Sequence, residues 1–339
     1  MVQRRKREKS RKRSRRGRIA VIAVGIVFAL VIVPAGAIAL FLSGLASTFD
    51  GQVDVLAKSD VFPNEKGRPA ASSAGALNIL VLASDSRGEV ASVDAKETAT
   101  GQRSDVMMLV HVEAERKRMQ VMSIMRDSWV DVPGHGKAKI NAALSWGGTA
   151  LVVQTVEQLL DTRIDHVALI GFEGFEQMTD ALGGVTVNVP APFADGGYTF
   201  AEGRTEMDGK QALVFVRQRY AFADGDYQRV RNQQAFIRSL ADRAISAGTL
   251  TNPAKLSEFV AAIARNLSVD PGFTAQRMVD IGLSLRDLRP SAVEYFTVPT
   301  TGTGMEGDES VIYLDALAVP ALSTALRNDQ VSEFLANRA

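Results

Sequence analysis

Residues 19–42, IAVIAVGIVFALVIVPAGAIALFL, contain no charged side chain. A run of that length is costly to leave in water, and a helix of about 20 apolar residues crosses a bilayer core. Pro34 is tolerated in such a helix. The run follows MVQRRKREKSRKRSRRGR, residues 1–18, with eleven Lys/Arg and one Glu. Basic residues mark the cytoplasmic end of a membrane helix. The pattern therefore predicts a basic cytoplasmic tail (1–18) and a transmembrane helix (19–42), with the body outside the cytoplasmic membrane. A cleaved export signal has a shorter apolar core, so the run reads as an uncleaved single-pass anchor.

The remaining residues hold 28 basic and 37 acidic side chains. That mildly acidic body argues against a nucleic-acid partner. The chain has no cysteine, which excludes thiolate zinc sites and cysteine nucleophiles. No G-x-S-x-G and no P-loop occurs. His111, His135 and His166 are scattered and read as structural. Residues 43–76, with Pro63, Gly67, Pro69 and the run AASSAGA, read as an extracytoplasmic stalk. A folded domain is expected over 77–325, and 326–339 as a polar C-terminal end.

Within that domain, NILVLAS (78–84), VMMLVHV (106–112), MQVMSI (119–124), HVALIGF (166–172) and VTVNV (185–189) have strand length and continuous apolar character. Continuous rather than alternating runs suggest strands covered on both faces. Helical spacing follows Gly147-Gly148 over 149–160 and runs over 172–182 up to Gly183-Gly184. It recurs over 252–267, after Asn252 as N-cap and Pro253, and over 274–288. The fold class is α/β: a central, mostly β-sheet core flanked by helices in αβα layers, plus one N-terminal transmembrane helix.

Four patches combine Asp with Arg. They are Ser84-Asp85-Ser86-Arg87, Arg103-Ser104-Asp105, Arg126-Asp127, and the stretch VFVRQRYAFADGDYQRVRNQQ (214–234) with Arg217, Arg219, Arg229 and Arg231. Three sit at strand ends, where open α/β sheets bind ligands. Any one pair reads as readily as a structural ion pair. Four of them, free of lysine, point to an anionic ligand, because guanidinium matches phosphate oxygens bidentately. Asp85 and Asp105 offer the hard oxygens that suit Mg²⁺ held with phosphate. From the residues alone the reading stops at a phosphate-bearing ligand.

Together, NILVLASDSR (78–87), RSDVMMLVHV (103–112), MSIMRDSWVDVPGHGKAKINAALSWGG (122–148), LIGFEGFEQMTDALGGVTVNVP (169–190), MDGKQALVFVRQRY (207–220) and GDYQRVRNQQ (225–234) resemble the LytR–CpsA–Psr family of cell-wall ligases. The resemblance implies an extracytoplasmic enzyme domain at the cytoplasmic membrane. Its members move a glycopolymer with its phosphate from a polyprenyl-pyrophosphate carrier to a peptidoglycan hydroxyl. Hydrolysis of the carrier pyrophosphate, or non-catalytic envelope sensing, are the alternatives. By position, Asp85 and Asp105 would hold Mg²⁺, with Mn²⁺ as a substitute. Arg87, Arg103, Arg126, Arg217 and Arg219 would grip the pyrophosphate, and Arg229 and Gln233 would complete the head-group site. Asp85, Arg126, Arg217 and Arg219 are the implied catalytic residues, Asp85 as candidate base, and Asp127 would orient Arg126. Three positions depart from the family pattern: Met125 stands where Pro is usual, Ala83 where Gly is common, and Asn232 where Arg is usual. The resemblance fits a Gram-positive cell wall and leaves the polymer open.

Overall fold

The structure is a computed structural model that describes residues 33–72, 74–84, 104–246 and 252–338, and side chains from residue 41 onward except at 104–105 and 245–246. Helix α1 (Val33–Asp50) carries the end of the apolar run. Residues 19–32 of the expected membrane helix lie outside the described residues. Among the described residues, no helix is long and apolar enough to cross a membrane. The chain divides into Met1–Thr48 and Phe49–Ala339, and the second unit holds everything that follows.

In chain order this unit begins with β1 (Asp54–Val55), the short helix α2 (Lys58–Val61), β2 (Leu77–Ser84), β3 (Ser104–Val112) and β4 (Met119–Ser123). A hairpin, β5 (Trp129–Val132) and β6 (Gly136–Lys139), leads to α3 (Ala142–Leu160) and β7 (His166–Gly171). Next come α4 (Phe172–Ala181), β8 (Val185–Val189), β9 (Phe193–Asp195), β10 (Tyr198–Phe200), β11 (Gly203–Met207), α5 (Gly209–Arg217) and α6 (Asp226–Ser246). The chain then runs through α7 (Pro253–Ala264), β12 (Leu267–Val269), α8 (Ala275–Ser284), β13 (Val293–Thr297), β14 (Thr300–Glu306), β15 (Glu309–Leu314), α9 (Ala318–Arg327) and α10 (Val331–Ala336).

Seven strands form the central sheet in the order β1, β12, β7, β2, β3, β4, β13. Successive side chains of a strand face opposite sides. Leu80 and Leu82 of β2 join one core with α3 and α9. Ile79 and Val81 join another with Phe273 and α8. Both faces of β2 are thus covered, as its unbroken apolar run requires. Register sets the functional edge. Ser84 pairs with Ser104 across the antiparallel β3 and with Gly171 across the parallel β7, while Met108 pairs with Ser123 of β4. The ends that lead into Asp85, Arg126 and Phe172 therefore share one edge with the start of β3.

Residues 172–240 build a second core from Phe175, Val185, Val187, Val189, Phe215 and Phe236. VTVNV belongs here rather than to the central sheet: β8 pairs only with β11, in a two-stranded ribbon. Its three valines face in while Thr186 and Asn188 face out, so its period is two. Gly209 allows the next contact. A Cβ there would lie 2.3 Å from the carbonyl oxygen of Glu176, so only glycine lets α5 lie against α4. The Gly209 N–H donates to Asp180 at 2.7 Å, and Asp208 and Gln211 form a capping box at the same end.

Several expectations are corrected. The stalk is not a spacer beyond residue 49. β1 pairs with β12, and Leu56 and Val61 enter the main core. Arg68 donates through Nε to both Glu157 carboxylate oxygens at 3.1 Å and through Nη2 to Oε1 at 2.7 Å, both side chains being 3% exposed. Pro, Gly and small residues suggested a linker, but two apolar side chains and one buried ion pair fix the segment to the body. The helix expected over 252–267 ends at Ala264, and Leu267–Val269 becomes a strand. The helix expected over 149–160 stands: Gly147 and Gly148 are non-helical and kink α3 there, and the turn before them, from Ala142, is the addition. The C-terminal end is not loose. Val331 is fully buried in the main core, and Asp329 accepts from His111 at 3.0 Å and from the Ala114 N–H at 2.9 Å. The other two histidines also have neighbours: buried His166 pairs with Asp270 at 3.2 Å, and exposed His135 stacks on Trp146.

Glu157→Ala would remove the buried carboxylate from the Arg68 guanidinium and leave it only the half-exposed Glu65 at 3.5 Å and the Ile164 carbonyl at 2.6 Å, a cost of about 3 kcal/mol. Denaturant unfolding should show it, and Arg68→Met with Glu157→Met should recover most of the loss. A true linker would register less than about 0.5 kcal/mol.

Candidate functional site

The functional edge of the sheet is continued by three loops. The first follows β4. The Asn141 N–H donates to the Arg126 carbonyl at 3.1 Å, and the Ile312 N–H donates to the Asp127 carbonyl at 2.9 Å. Both backbone positions are thereby held by elements distant in sequence. Met125 beneath them is 2% exposed and packs with Val230, Ile312 and Tyr227. The departure from proline supplies an apolar contact to α6.

The second loop follows α5. Arg217 is its last residue, and its guanidinium lies 4.6 Å from the centroid of the Phe172 ring at the start of α4. Gln218 is extended and buried, with its amide donating to Asp195 at 2.7 Å. Arg217 and Arg219, on either side of it, line the same cleft. Arg219 then stacks on Tyr220 at 4.6 Å.

The third element is α6. Asn232 and Gln233 are buried and donate to the carbonyls of Phe215 and Val216 at 3.2 and 3.3 Å. Those are carbonyls of the last turn of α5, and the Phe215 carbonyl also accepts from the Gln218 N–H at 3.3 Å. Gln234 reaches the other way, donating to Ser123 Oγ and to the Phe296 carbonyl, each at 3.0 Å. Helix α6 thus ties the arginine loop to the ends of β4 and β13.

Arg126, Arg217, Arg219 and Arg229 line one cleft of about 670 Å³. Glu176, Asp195, Tyr198 and Lys210 share its wall. Gln233 lies behind the wall as a support for α5. Asp85, Arg87 and Arg103 lie outside the described residues, as does the side chain of Asp105. The backbone register still places Asp105: Ala83 pairs with Val106 and Ser84 with Ser104, so Asp105 is the extra residue of a bulge. Bulges re-aim side chains beside sites of chemistry. Among the described residues, no group of three or more metal-ligating side chains is found.

The residue that the sequence reading passed over is Asp226. Its Oδ1 is 3.1 Å from Arg229 Nη2 and 3.6 Å from Arg219 Nη1. Burial opposes its ionisation, but the hydrogen bond with Asp127 and the charges of Arg229, Arg126 and Arg219 lower its pKa. Asp127 moves the other way, raised by burial and then by Asp226. Of the two, Asp127 is therefore the first to take up a proton as pH falls. Arg126 Nε is 3.5 Å from Asp127 Oδ2, so Asp127 does stand beside Arg126. Burial lowers the Arg229 pKa most, Asp226 raises it, and Arg126 and Arg219 lower it again. The guanidiniums sense one another, which is the condition for an anion sink. Asp226 was detectable in principle: with Arg229 and Gln233 it has the 3–4 spacing of one helix face.

The fold is layered α/β, with Arg126, Arg217, Arg219 and Arg229 gathered on one cleft. The chain belongs to the LytR_cpsA_psr family, whose profile matches residues 46–328. It is 29% identical over 338 residues to the cell wall biosynthesis protein LcpA of Corynebacterium glutamicum, across 87% of this chain and 64% of that protein. It is 33% identical over 253 residues to the polyisoprenyl-teichoic acid–peptidoglycan teichoic acid transferase TagU of Oceanobacillus iheyensis, across 73% of this chain and 75% of that protein. The fold matches that of Bacillus subtilis TagV with TM-score 0.63 at 24% identity, across 76% of this chain and 98% of that one. It matches a structure of TagT bound to LI-WTA with TM-score 0.61 at 24% identity, across 81% and 98%.

Asp226→Asn should cost about 3 kcal/mol at neutral pH, because it leaves buried Arg229 without its carboxylate. A lowered folded pKa gives stability that is present above the ordinary aspartate range and lost as pH falls through the folded value. The gap between wild type and Asp226→Asn should therefore close on acidification. Denaturant unfolding over a pH series reads both effects.

Proposed function

We propose that this protein is a membrane-anchored phosphotransferase of cell-wall assembly, acting on the outer side of the cytoplasmic membrane. Its donor is a glycopolymer on a polyprenyl-pyrophosphate carrier, and its acceptor a peptidoglycan hydroxyl. The observation that carries this reading is the convergence of Arg126, Arg217, Arg219 and Arg229 on one cleft at the sheet edge. Family membership and the printed names of the relatives support it.

In the reaction, the acceptor oxygen attacks the phosphorus next to the sugar. The bond between that phosphorus and the bridging oxygen breaks, and polyprenyl phosphate leaves. Negative charge grows on the leaving phosphate. Fixed guanidiniums around it stabilise that charge without reorganising at the moment of reaction. Arg217, held against Phe172, and Arg229, held by Asp226, are pre-positioned in this sense. Asp85 and Asp105 would hold Mg²⁺ or Mn²⁺, since carboxylate oxygens are the donors such ions take. The ion would neutralise phosphate charge. The hydroxyl proton would pass to Asp85.

The full-length chain in detergent, given lipid-linked glycopolymer and peptidoglycan fragments, should form linked product and polyprenyl phosphate. Arg217→Ala or Arg219→Ala should lower turnover by about 10²-fold or more. Equal release of polyprenyl phosphate without acceptor would replace transfer with hydrolysis. Unchanged turnover in both variants would remove the cleft from the chemistry.

A further inference from the structure

A second groove lies on the far side of α6 from the cleft, with a volume of about 610 Å³. Its walls are the β8–β11 ribbon and the edge strand β13, and its floor is α6. Four arginines reach it, Arg204 from the ribbon and Arg231, Arg238 and Arg243 from α6, against a single acid, Asp242. The four are not equivalent. Arg231 is paired with Asp224, and Arg243 donates to the carbonyls of Leu182 and Gly183, each at 3.2 Å. Arg204 is exposed and Arg238 lies 4.7 Å from the centroid of the Tyr295 ring. Among the described residues, neither has a carboxylate within ion-pair distance.

The remaining lining is polar and flat. Asn188 pairs with Arg204 across the ribbon, and both side chains point outward because Val187 and Val189 point in. An amide beside guanidiniums suits hydroxyl and anionic oxygens together, and guanidinium favours bidentate oxyanions. The Tyr295 ring, capped by Arg238, offers an apolar face with a polar rim, the kind of surface on which a sugar ring rests. Arg229 lines the cleft and Arg231 the groove. Two residues apart on a helix, they are about 3 Å apart along its axis and on nearly opposite sides. The two sites are therefore separated by the width of one helix.

We infer that this groove is a second anion site, which takes a carboxylate- or phosphate-bearing glycan segment while the cleft holds the reacting head group. Arg204 and Arg238 supply the attraction, and Tyr295 and Asn188 the saccharide contacts. That the ligand is a glycan rests on the function proposed above; that it is an anion rests on the groove alone. Such a site would hold either the acidic part of the acceptor or the anionic repeats of the incoming polymer.

The test titrates the full-length chain in detergent with three carrier-free probes. These are a polyol-phosphate oligomer, a peptidoglycan fragment with free stem-peptide carboxylates, and the same fragment with those carboxylates amidated. At least one anionic probe should bind, the amidated one should not, and Arg204→Glu with Arg238→Ala should weaken binding at least tenfold. Arg204→Glu alone, on an exposed ribbon position, should weaken it about threefold and keeps the test open if the double variant unfolds. Arg217→Ala should leave this binding in place. The anionic probe that saturates identifies the source. Undiminished affinity in the Arg204 variants, loss only in Arg217→Ala, equal binding of the amidated probe, or no binding of any probe would overturn the assignment. Turnover is scored separately. A wild-type chain that binds the probe but transfers nothing refutes the proposed reaction and not the groove.

Discussion

Asp226 meets Arg229 at 3.1 Å and Arg219 at 3.6 Å, and these cations repel one another. Two unit charges 4 Å apart near a protein surface interact by about 4 kcal/mol. Asp226 with Glu176 and Asp195 does not match Arg126, Arg217, Arg219, Arg229 and Lys210 in number, and its neighbour Asp127 is biased toward the neutral form. The cluster keeps an excess of positive charge that only a fold can hold together. Much of the local structure serves that end. Gly209 lets α5 lie on α4, Asn232 and Gln233 hold the end of α5, and Gln234 fixes α6 to the sheet. These contacts hold the guanidiniums together against their mutual repulsion.

The parts of the fold that were legible in the sequence are those set by local chemistry. Unbroken apolar runs marked β2, β3, β4 and β7, because central strands of a covered sheet carry no polar face. The paired glycines 183 and 184 marked the end of α4, where both have positive φ. The parts that were missed are set by distant partners. β12 has only three residues and exists because it pairs with β1 and β7. The folded segment after residue 49 is fixed by Glu157, far away in sequence. No local pattern distinguishes a loop that ends in a buried ion pair from one that floats.

The site shows the same division. The choice of arginine over lysine and its place at strand ends were visible, and the cleft gathers the four described cleft arginines. Asp226 was hidden in plain view because an acid next to arginines reads as routine neutralisation. Its role depends on burial, which the sequence does not state. Met125 and Asn232 looked like departures within the site. The structure makes both of them packing residues: one under α6, the other on a backbone carbonyl of α5.

Helix α6 is where these observations meet. Asp226, Arg229 and Gln233 recur at the spacing of one helical face and serve the cleft or its wall. Arg231, Arg238 and Asp242 recur on another and face the groove. A helix with period 3.6 turns a single basic stretch into two sites with separate electrostatics. Where the family pattern has arginine at 232, this chain has a buried asparagine capping α5, and the guanidinium stands at 231, on the groove side. A shift of one residue rotates a side chain by about 100°. It is enough to take a positive charge out of the interior, where another cation would add to the repulsion around Asp226, and to place it on the groove side, where it pairs with Asp224.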